Sequence, residues 1–283
     1  MLALFTDRQW LWGAALFYLA GWLLGTWSWS SRGRPSGFAV YALLAAGYAL
    51  QICGLGVRGQ AVGGCPLGNT FEICQFTAWS ALSVYLVAGV TFRSGLLGYL
   101  MACLAAVITV VSLSQPAWDA ARHAHIFGNN PWLEFHAALA VFSYGVFALL
   151  ALTSLLFLMR LHSLESKSLG GWFALLPSML DLDQIGLRLL LVGTALLAAS
   201  LAIGSVYWLR DTASVSVAKL LAAVLVWLAA AAMLGLRLRG WLVAKRFAWA
   251  CVALFGAAVL SLYIVDESRR PLAPAAAAVR AEP

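Results

Sequence analysis

The chain has 283 residues, of which 63% are hydrophobic and 10% are charged. Soluble domains average about 45–50% apolar and about 25% charged residues, so this composition excludes a water-soluble globule. The 12% of aromatic residues excludes a disordered chain, which would be poor in aromatic side chains. The net charge of +7 does not indicate a nucleic-acid partner, because the basic residues are dispersed between apolar runs.

Eight apolar stretches are long enough to cross a bilayer, which takes about 20 helical residues. Together they predict an all-α, polytopic integral membrane bundle of eight transmembrane helices over residues 1–265. A disordered Pro/Ala-rich tail is expected over 266–283. The predicted spans, in chain order, are 9–27, 38–56, 71–91, 96–113, 132–158, 185–208, 216–236 and 247–265.

The distribution of basic residues predicts the orientation, because Lys and Arg collect in cytoplasmic loops. We expect the N-terminus and, after eight crossings, the C-terminus to lie outside. The first span is not expected to be a cleaved signal peptide, since its basic residues follow the apolar run. The outer side carries Arg8, Arg58, Arg122 and Arg210, and the inner side carries Arg32, Arg34, Arg93, Arg160, Lys167, Arg188, Arg237, Arg239, Lys245 and Arg246.

The five cysteines are too few for a disulfide scaffold. Cys53, Cys65 and Cys74 fall on the predicted outer side, where oxidising conditions permit one disulfide, and the spacing does not select the pair. Cys103 and Cys251 are expected to be small core residues. The sequence holds no Cys-x-x-Cys pair, so covalent attachment of a c-type haem is not expected.

Polar residues in the spans are informative, because facing lipid is costly for them. His136 begins the fifth span and shares a helix face with Ser143 and Tyr144. One interpretation is an axial ligand of a haem iron or another metal, for which a neutral imidazole is common. The alternative is a histidine that is hydrogen-bonded to a neighbouring helix.

The third span carries a similar polar face, formed by Glu72, Gln75, Trp79 and Ser83. Buried amides and hydroxyls can hold a membrane bundle together, which is one interpretation. The other is the wall of a cavity for a large planar ligand, with Trp79 stacking on it.

The remaining candidate residues lie in connections or at helix ends. His123 and His125 are in an outer connection, either solvated or ligating, and His162 is expected at the inner surface. Asp211 and Lys219 flank the start of the seventh span, as a charge pair or with a snorkelling lysine.

Several short motifs, taken in order, resemble the CcsA/HemX/YpjD-type cytochrome c assembly superfamily over about residues 66–265. Each motif is weak alone, and their order and placement carry the resemblance. They are Pro66-Leu67-Gly68-Asn69-Thr70-Phe71-Glu72 with Trp79, Trp132-Leu133-x-x-His136 with Ser143-Tyr144, Leu180-Asp181 with Ile185-Gly186, Gly204-Ser205-Val206-Tyr207-Trp208, and Gly240-Trp241 before Lys245-Arg246.

The resemblance implies a protein of the bacterial inner membrane that handles haem at an outward-facing site. In that family two histidines flank a tryptophan-rich loop that presents haem, and His136 matches the first of them. The loop is reduced here to Tyr207, Trp208, Asp211 and Lys219. The second histidine is missing beyond the last span, which leaves His125 or His123 as the candidates on that side. These departures resemble the HemX or YpjD branch.

The resulting expectation is binding or handling of a non-covalent, b-type haem during cytochrome c biogenesis. His136 would ligate or guide the haem. Glu72, Gln75, Trp79, Tyr144 and Trp208 would line the cavity, and Asp211 or Lys219 would meet a propionate.

No hydrolase, phosphate-loop or dinucleotide motif is present, so the chain is not expected to be an enzyme by itself. It would instead be one component of a haem-attachment system, with an extracytoplasmic assembly partner. The alternative is an accessory or regulatory membrane subunit that binds no haem and stabilises another complex, such as a haem-biosynthesis enzyme or an ion transporter.

Overall fold

The computed structural model describes residues 5–30, 37–89, 95–127, 130–167, 178–209 and 217–267. Within these ranges the chain forms eight α-helices and a short 3-10 helix, Pro116–Asp119. The all-α prediction is confirmed. The helices are α1 (Asp7–Ser30), α2 (Gly37–Val62), α3 (Thr70–Gly89), α4 (Gly95–Ser114), α5 (Pro131–Glu165), α6 (Met179–Trp208), α7 (Val217–Leu238) and α8 (Ala244–Glu267).

Most helices extend beyond the apolar stretches that predict them, because polar residues and caps continue the helical hydrogen bonding at their ends. Helix α5 begins where the Asn130 side chain accepts a hydrogen bond from the Trp132 amide and Pro131 occupies the first turn. Helix α6 begins six residues before its apolar stretch, where the Ser178 side chain accepts from the Asp181 amide. The predicted connections at 57–70 and 159–184 are correspondingly shorter than expected.

Helix α5 is the centre of the molecule. It packs against α6, α8 and α3, and 78% of its most apolar 18-residue segment is buried. Helices α1 to α4 pack against one another on one side of α5, and α7 packs on α6 and α8. Helices α5 and α6 run in opposite directions, because His136 near the start of α5 contacts Ser200 near the end of α6.

Six of the described helices are long and apolar enough to span a membrane: α2, α4, α5, α6, α7 and α8. Helices α1 and α3 carry more polar residues, among them Asp7 and Arg8 on α1 and Glu72 and Gln75 on α3. The chain is therefore a multi-pass helical membrane protein. The count of eight crossings and the outside position of both termini stay predictions, and the predicted tail lies beyond the described residues apart from its first two positions.

Candidate functional site

His136 lies in the second turn of α5 and faces α6. Its Nδ1 is 2.7 Å from the carbonyl oxygen of Ser200 and 3.0 Å from Oγ of the same residue. The Ser200 hydroxyl donates in turn to the carbonyl oxygen of His136, at 2.8 Å. Because a carbonyl oxygen only accepts, Nδ1 carries the proton. In the neutral ring Nε2 then holds the lone pair, and it has no hydrogen-bond partner among the described residues.

A glycine on α6 makes room for this ring. A Cβ placed on Gly204 would lie 2.6 Å from Cε1 of His136, which is closer than real side chains approach. Trp208, one turn further along α6, is half-buried at the same end of the bundle. Ser200, Gly204 and Trp208 therefore form one stripe on α6, and the His136 ring packs on its first two residues.

The polar face predicted on α5 is shared between two neighbouring helices. His136 bonds to α6, whereas the Tyr144 hydroxyl lies 3.1 Å from Oγ of Ser261 on α8 and is buried. Ser143 is buried too, and its hydroxyl donates to the carbonyl oxygen of Ala140. These contacts fix α5 between α6 and α8.

Trp79 packs in an aromatic cluster between α2, α3 and α5. Its ring is stacked on Tyr48 at 6.1 Å between centroids and meets Phe142 edge-on at 5.9 Å. Its indole Nε1 is buried with no hydrogen-bond partner among the described residues. Phe142 lies deeper in α5 than His136, so the structure does not bring Trp79 and His136 into one cluster.

Glu72 belongs to a buried ionic network. Its Oε1 accepts a hydrogen bond from Nε of Arg58 at 2.7 Å, and its Oε2 accepts from the Gly68 amide at 2.6 Å. Arg58 is fully buried and also pairs with Asp7 at 2.6 Å and with Asp119. The network joins α1, α2, α3 and the 3-10 helix, and its carboxylates neutralise the buried guanidinium.

Gln75 belongs to a second buried network, one turn further into α3. Nε2 of Gln51 donates to Oε1 of Gln75 at 2.9 Å, and the Tyr18 hydroxyl donates to Oε1 of Gln51 at 2.8 Å. Nε2 of Gln75 donates to Oγ of Ser112 at 2.8 Å. For Glu72 and Gln75, the interpretation in which polar groups hold the helices together therefore describes the contacts.

His125 lies on the opposite flank of α5 from His136. Its amide donates to the Val62 carbonyl at 3.0 Å, and a Cβ on Gly63 would lie 2.4 Å from its ring. Oε1 of Glu134 approaches the neighbouring Gly64 in the same way, at 2.5 Å. Since Glu134 and His136 are two residues apart on a helix, they point to nearly opposite sides. The structure therefore does not bring His125 and His136 together.

The other candidate residues are less constrained. His123 and His162 are exposed, at opposite ends of the bundle, and Lys219 is half-buried in the first turn of α7. Asp211 lies outside the described residues, so its expected role stays a prediction. All five cysteines are described, and none of them is joined in a disulfide in this structure.

Sequence reasoning missed the contacts of Ser200 and Gly204 with His136, and it missed the network around Arg58. The spacing Ser200-x-x-x-Gly204 was available as a signal, because small residues four apart let membrane helices approach closely. Arg58 was treated only as a loop charge that reports orientation. Nothing local distinguishes it from an exposed arginine, because its partners Asp7 and Asp119 are distant in sequence.

Comparison with known proteins identifies the family. The family model described as Cytochrome C assembly protein matches residues 67–267, which is most of the chain. The chain belongs to the cytochrome c assembly family. The match begins just before α3, so α1 and α2 lie outside it.

Individual relatives carry two names. Protein HemX of Brevibacillus brevis is 25% identical over 202 residues, which are 71% of this chain and 74% of the relative. Protein HemX of Bacillus subtilis (strain 168) is 24% identical over 196 residues, covering 69% and 68%. Cytochrome c biogenesis protein CcsA of Microcystis aeruginosa is 30% identical over 118 residues, covering 40% of this chain and 36% of the relative. The predicted CcsA/HemX-type membership is confirmed.

Proposed function

We propose that this cytochrome c assembly protein binds or guides haem during cytochrome c biogenesis, with His136 as the iron ligand. The observation that carries the proposal is the imidazole whose Nδ1–H is held by the Ser200 carbonyl, 2.7 Å away. Metal-ligating histidines almost always donate their second ring N–H in this way, which fixes the tautomer and raises the basicity of the other nitrogen.

The lone pair on Nε2, which has no hydrogen-bond partner among the described residues, supports a haem iron as the group that His136 binds. The His136 ring is only partly buried, and it packs directly on Gly204, which has no side chain to displace it. The absence of a Cys-x-x-Cys pair in the sequence supports non-covalent, b-type binding. Haem supplies the redox-active iron and the propionates, while the chain supplies the ligand and its orientation.

The surrounding roles follow from the contacts. Trp208 lies on the same stripe of α6 as Ser200 and Gly204, which contact His136, and is proposed as a wall for the porphyrin. Asp211 or Lys219 is proposed to meet a propionate. Trp79 and Tyr144 are proposed to support α5 from the side of α3 and α8. Glu72 and Gln75 are not carried into the haem site, because their polar atoms bond to neighbouring helices.

The chain is proposed to act in the bacterial inner membrane with an extracytoplasmic assembly partner, and not as an enzyme by itself. The single described histidine at the site supports this arrangement, since His125 lies on the other flank of α5. A second axial ligand would then come from the partner or from solvent.

The test compares haem content after purification in mild detergent. Wild type is expected to show a Soret band, and His136→Ala is expected to lose most of it. His162→Ala is the matched control, because His162 is exposed at the other end of α5 and its replacement leaves the band unchanged. Equal spectra for all three proteins, or no haem in any of them, would contradict the proposal.

A second candidate function is an accessory subunit that binds no haem and stabilises another membrane complex. This function is favoured because the polar atoms of Glu72 and Gln75 bond to other helices of the chain and so hold the bundle together. It predicts a stable protein partner that co-purifies in stoichiometric amount without any pigment.

A further inference from the structure

The turn between α7 and α8 concentrates positive charge. Residues 237–246 include the basic residues Arg237, Arg239, Lys245 and Arg246 and no acidic residue. This turn lies at the opposite end of the bundle from His136, because α7 ends and α8 begins there.

The backbone of the turn is closed by a Schellman motif. The Gly240 amide donates to the Arg237 carbonyl and the Trp241 amide donates to the Leu236 carbonyl, both at 3.0 Å. Gly240 has a φ of 74°, in the left-handed region that glycine favours. A Cβ on Gly240 would meet nothing within 4 Å, so no described residue covers this side of the turn.

Arg237 is used to hold the turn. Its guanidinium pairs with Asp183 on α6, donates to the Leu242 carbonyl at 3.2 Å and lies 4.9 Å from the ring centroid of Phe247 on α8. This one side chain therefore ties α6, α7 and α8 together, and its charge is neutralised.

The other basic side chains of the turn are not neutralised in this way. Arg239 and Arg246 are exposed and have no carboxylate partner among the described residues. Nζ of Lys245 lies 3.9 Å from Glu165, and both side chains are more than half exposed, which makes this ion pair weak.

The opposite end of the bundle is different. There, Arg8, Arg58 and Arg122 each have a carboxylate oxygen within 4.0 Å. Among the described residues, basic side chains without a carboxylate partner therefore mark the end of the bundle that carries the α7–α8 turn, and not the end around Arg58.

Apolar side chains flank these charges. Leu238 and Trp241 are each 69% exposed, and the Arg239 guanidinium lies 5.8 Å from the Trp241 ring centroid. Only 11% of the most apolar 18-residue segment of α7 is buried within the protein, so most of this segment lies on the outer surface of the bundle. A ligand of the turn must therefore neutralise exposed basic side chains and cover exposed apolar surface at the same time.

We propose that the α7–α8 turn binds an anionic phospholipid, with Arg239 and Arg246 contacting the headgroup phosphate. In this arrangement the exposed Trp241 ring takes the interfacial depth that indole rings favour, and the exposed Leu238 contacts the acyl chain. A lipid fits better than an acidic protein segment, because the free cations border the lipid-facing surface of a spanning helix.

The experiment uses native mass spectrometry of the full chain in detergent, titrated with phosphatidylglycerol or phosphatidylcholine. Wild type is expected to retain phosphatidylglycerol preferentially. R239Q/R246Q is expected to weaken that binding roughly 30-fold, which is about 2 kcal/mol for two basic side chains. The control is K167Q, which removes one exposed inner charge outside the turn, and R239K/R246K is expected to retain binding.

Three outcomes would overturn the proposal. One is equal retention of phosphatidylglycerol by wild type and R239Q/R246Q. Another is displacement of phosphatidylglycerol from the turn by inorganic phosphate alone, which would make the site an anion site without a lipid. The third is loss of a copurifying protein in R239Q/R246Q with lipid retention unchanged. Size-exclusion chromatography and circular dichroism establish that the exposed substitutions leave the protein folded.

Discussion

At the residue scale, the buried charge of Arg58 has the clearest energetic consequence. Replacing Arg58 with Ala leaves Asp7, Glu72 and Asp119 close together without their central cation. Breaking a buried ion pair by removing one partner typically costs about 3–5 kcal/mol. We expect Arg58→Ala to melt at a clearly lower temperature than wild type in the same detergent, measured by tryptophan fluorescence.

The control for this prediction is Arg188→Ala, because Arg188 is exposed on α6, a helix that takes no part in the network. Surface substitutions of this kind change stability by about 0.5 kcal/mol or less. Equal melting temperatures for Arg58→Ala and Arg188→Ala would show that the Arg58 network does not stabilise the fold.

A second residue-scale prediction concerns Cys65, in the connection between α2 and α3. Burial, and after it the nearby carboxylates of Glu134 and Glu72, raise the pKa of the Cys65 thiol to about 11. Only the thiolate reacts with iodoacetamide, so Cys65 reacts slowly at a pH below this pKa and faster as the pH rises towards it. In a variant that keeps Cys65 alone, we expect the alkylation rate to rise about tenfold per pH unit from pH 7 to pH 10.

The carboxylate contribution is checked with Glu134→Gln in the same background. Removing that negative charge lowers the pKa of Cys65 and therefore speeds alkylation at any pH below it. A rate that levels off near pH 9 in the parent variant would contradict the raised pKa.

At the element scale, the contact between α3 and α5 depends on one glycine. A Cβ on Gly145 would lie 1.8 Å from Oγ of Ser80 and 2.8 Å from the backbone nitrogen of Ala81. The backbone of α3 cannot yield as a flexible side chain can, so Gly145→Ala must push the helices apart. Overpacking of this kind costs about 1–3 kcal/mol, which we expect as a lower melting temperature.

Gly256→Ala provides the matched control, since Gly256 is also helical and a Cβ there meets nothing within 4 Å. Ala is favoured over Gly in a helix by about 1 kcal/mol, so Gly256→Ala is expected to hold or raise the melting temperature. Identical effects of the two substitutions would mean that α3 and α5 are not packed as described.

The positions of the helices could be predicted from the sequence, because an apolar stretch of about 20 residues satisfies its backbone hydrogen bonds in lipid by forming a helix. Interhelical partners did not follow, because helical spacing gives the face of a residue but not the neighbour that it meets. The face with His136 and Tyr144 was predicted correctly as polar. Its division between α6 and α8 depends on how α5 sits between them.

At the scale of the whole molecule, the sequence gives an orientation that can be tested directly. His125 and His162 are exposed at opposite ends of the bundle. In a background without the five native cysteines, we expect a membrane-impermeant maleimide to label His125→Cys in right-side-out vesicles. We expect His162→Cys to be labelled only after permeabilisation.

The control is denaturation in detergent, after which both positions should be labelled equally. Labelling of His162→Cys alone in intact vesicles would reverse the orientation, and labelling of both would contradict an odd number of crossings between them.

The site as a whole was only partly accessible to sequence reasoning. The candidate ligand His136 was identified from its place at the start of a span and from the family resemblance. Ser200, which holds its Nδ1, lies 64 residues away and carries no signal of its own. Glu72 has the same polar character whether it lines a cavity or neutralises Arg58, and only the fold distinguishes these two situations.

The most direct test of the central claim is imidazole rescue of a His136→Gly variant. The substitution removes the proposed ligand and leaves a space beside Ser200 and Gly204 in which free imidazole can bind. If His136 ligates haem iron, the variant loses the wild-type Soret band and added imidazole restores it, while His162→Gly is unaffected throughout. A wild-type spectrum in His136→Gly without imidazole would contradict the claim.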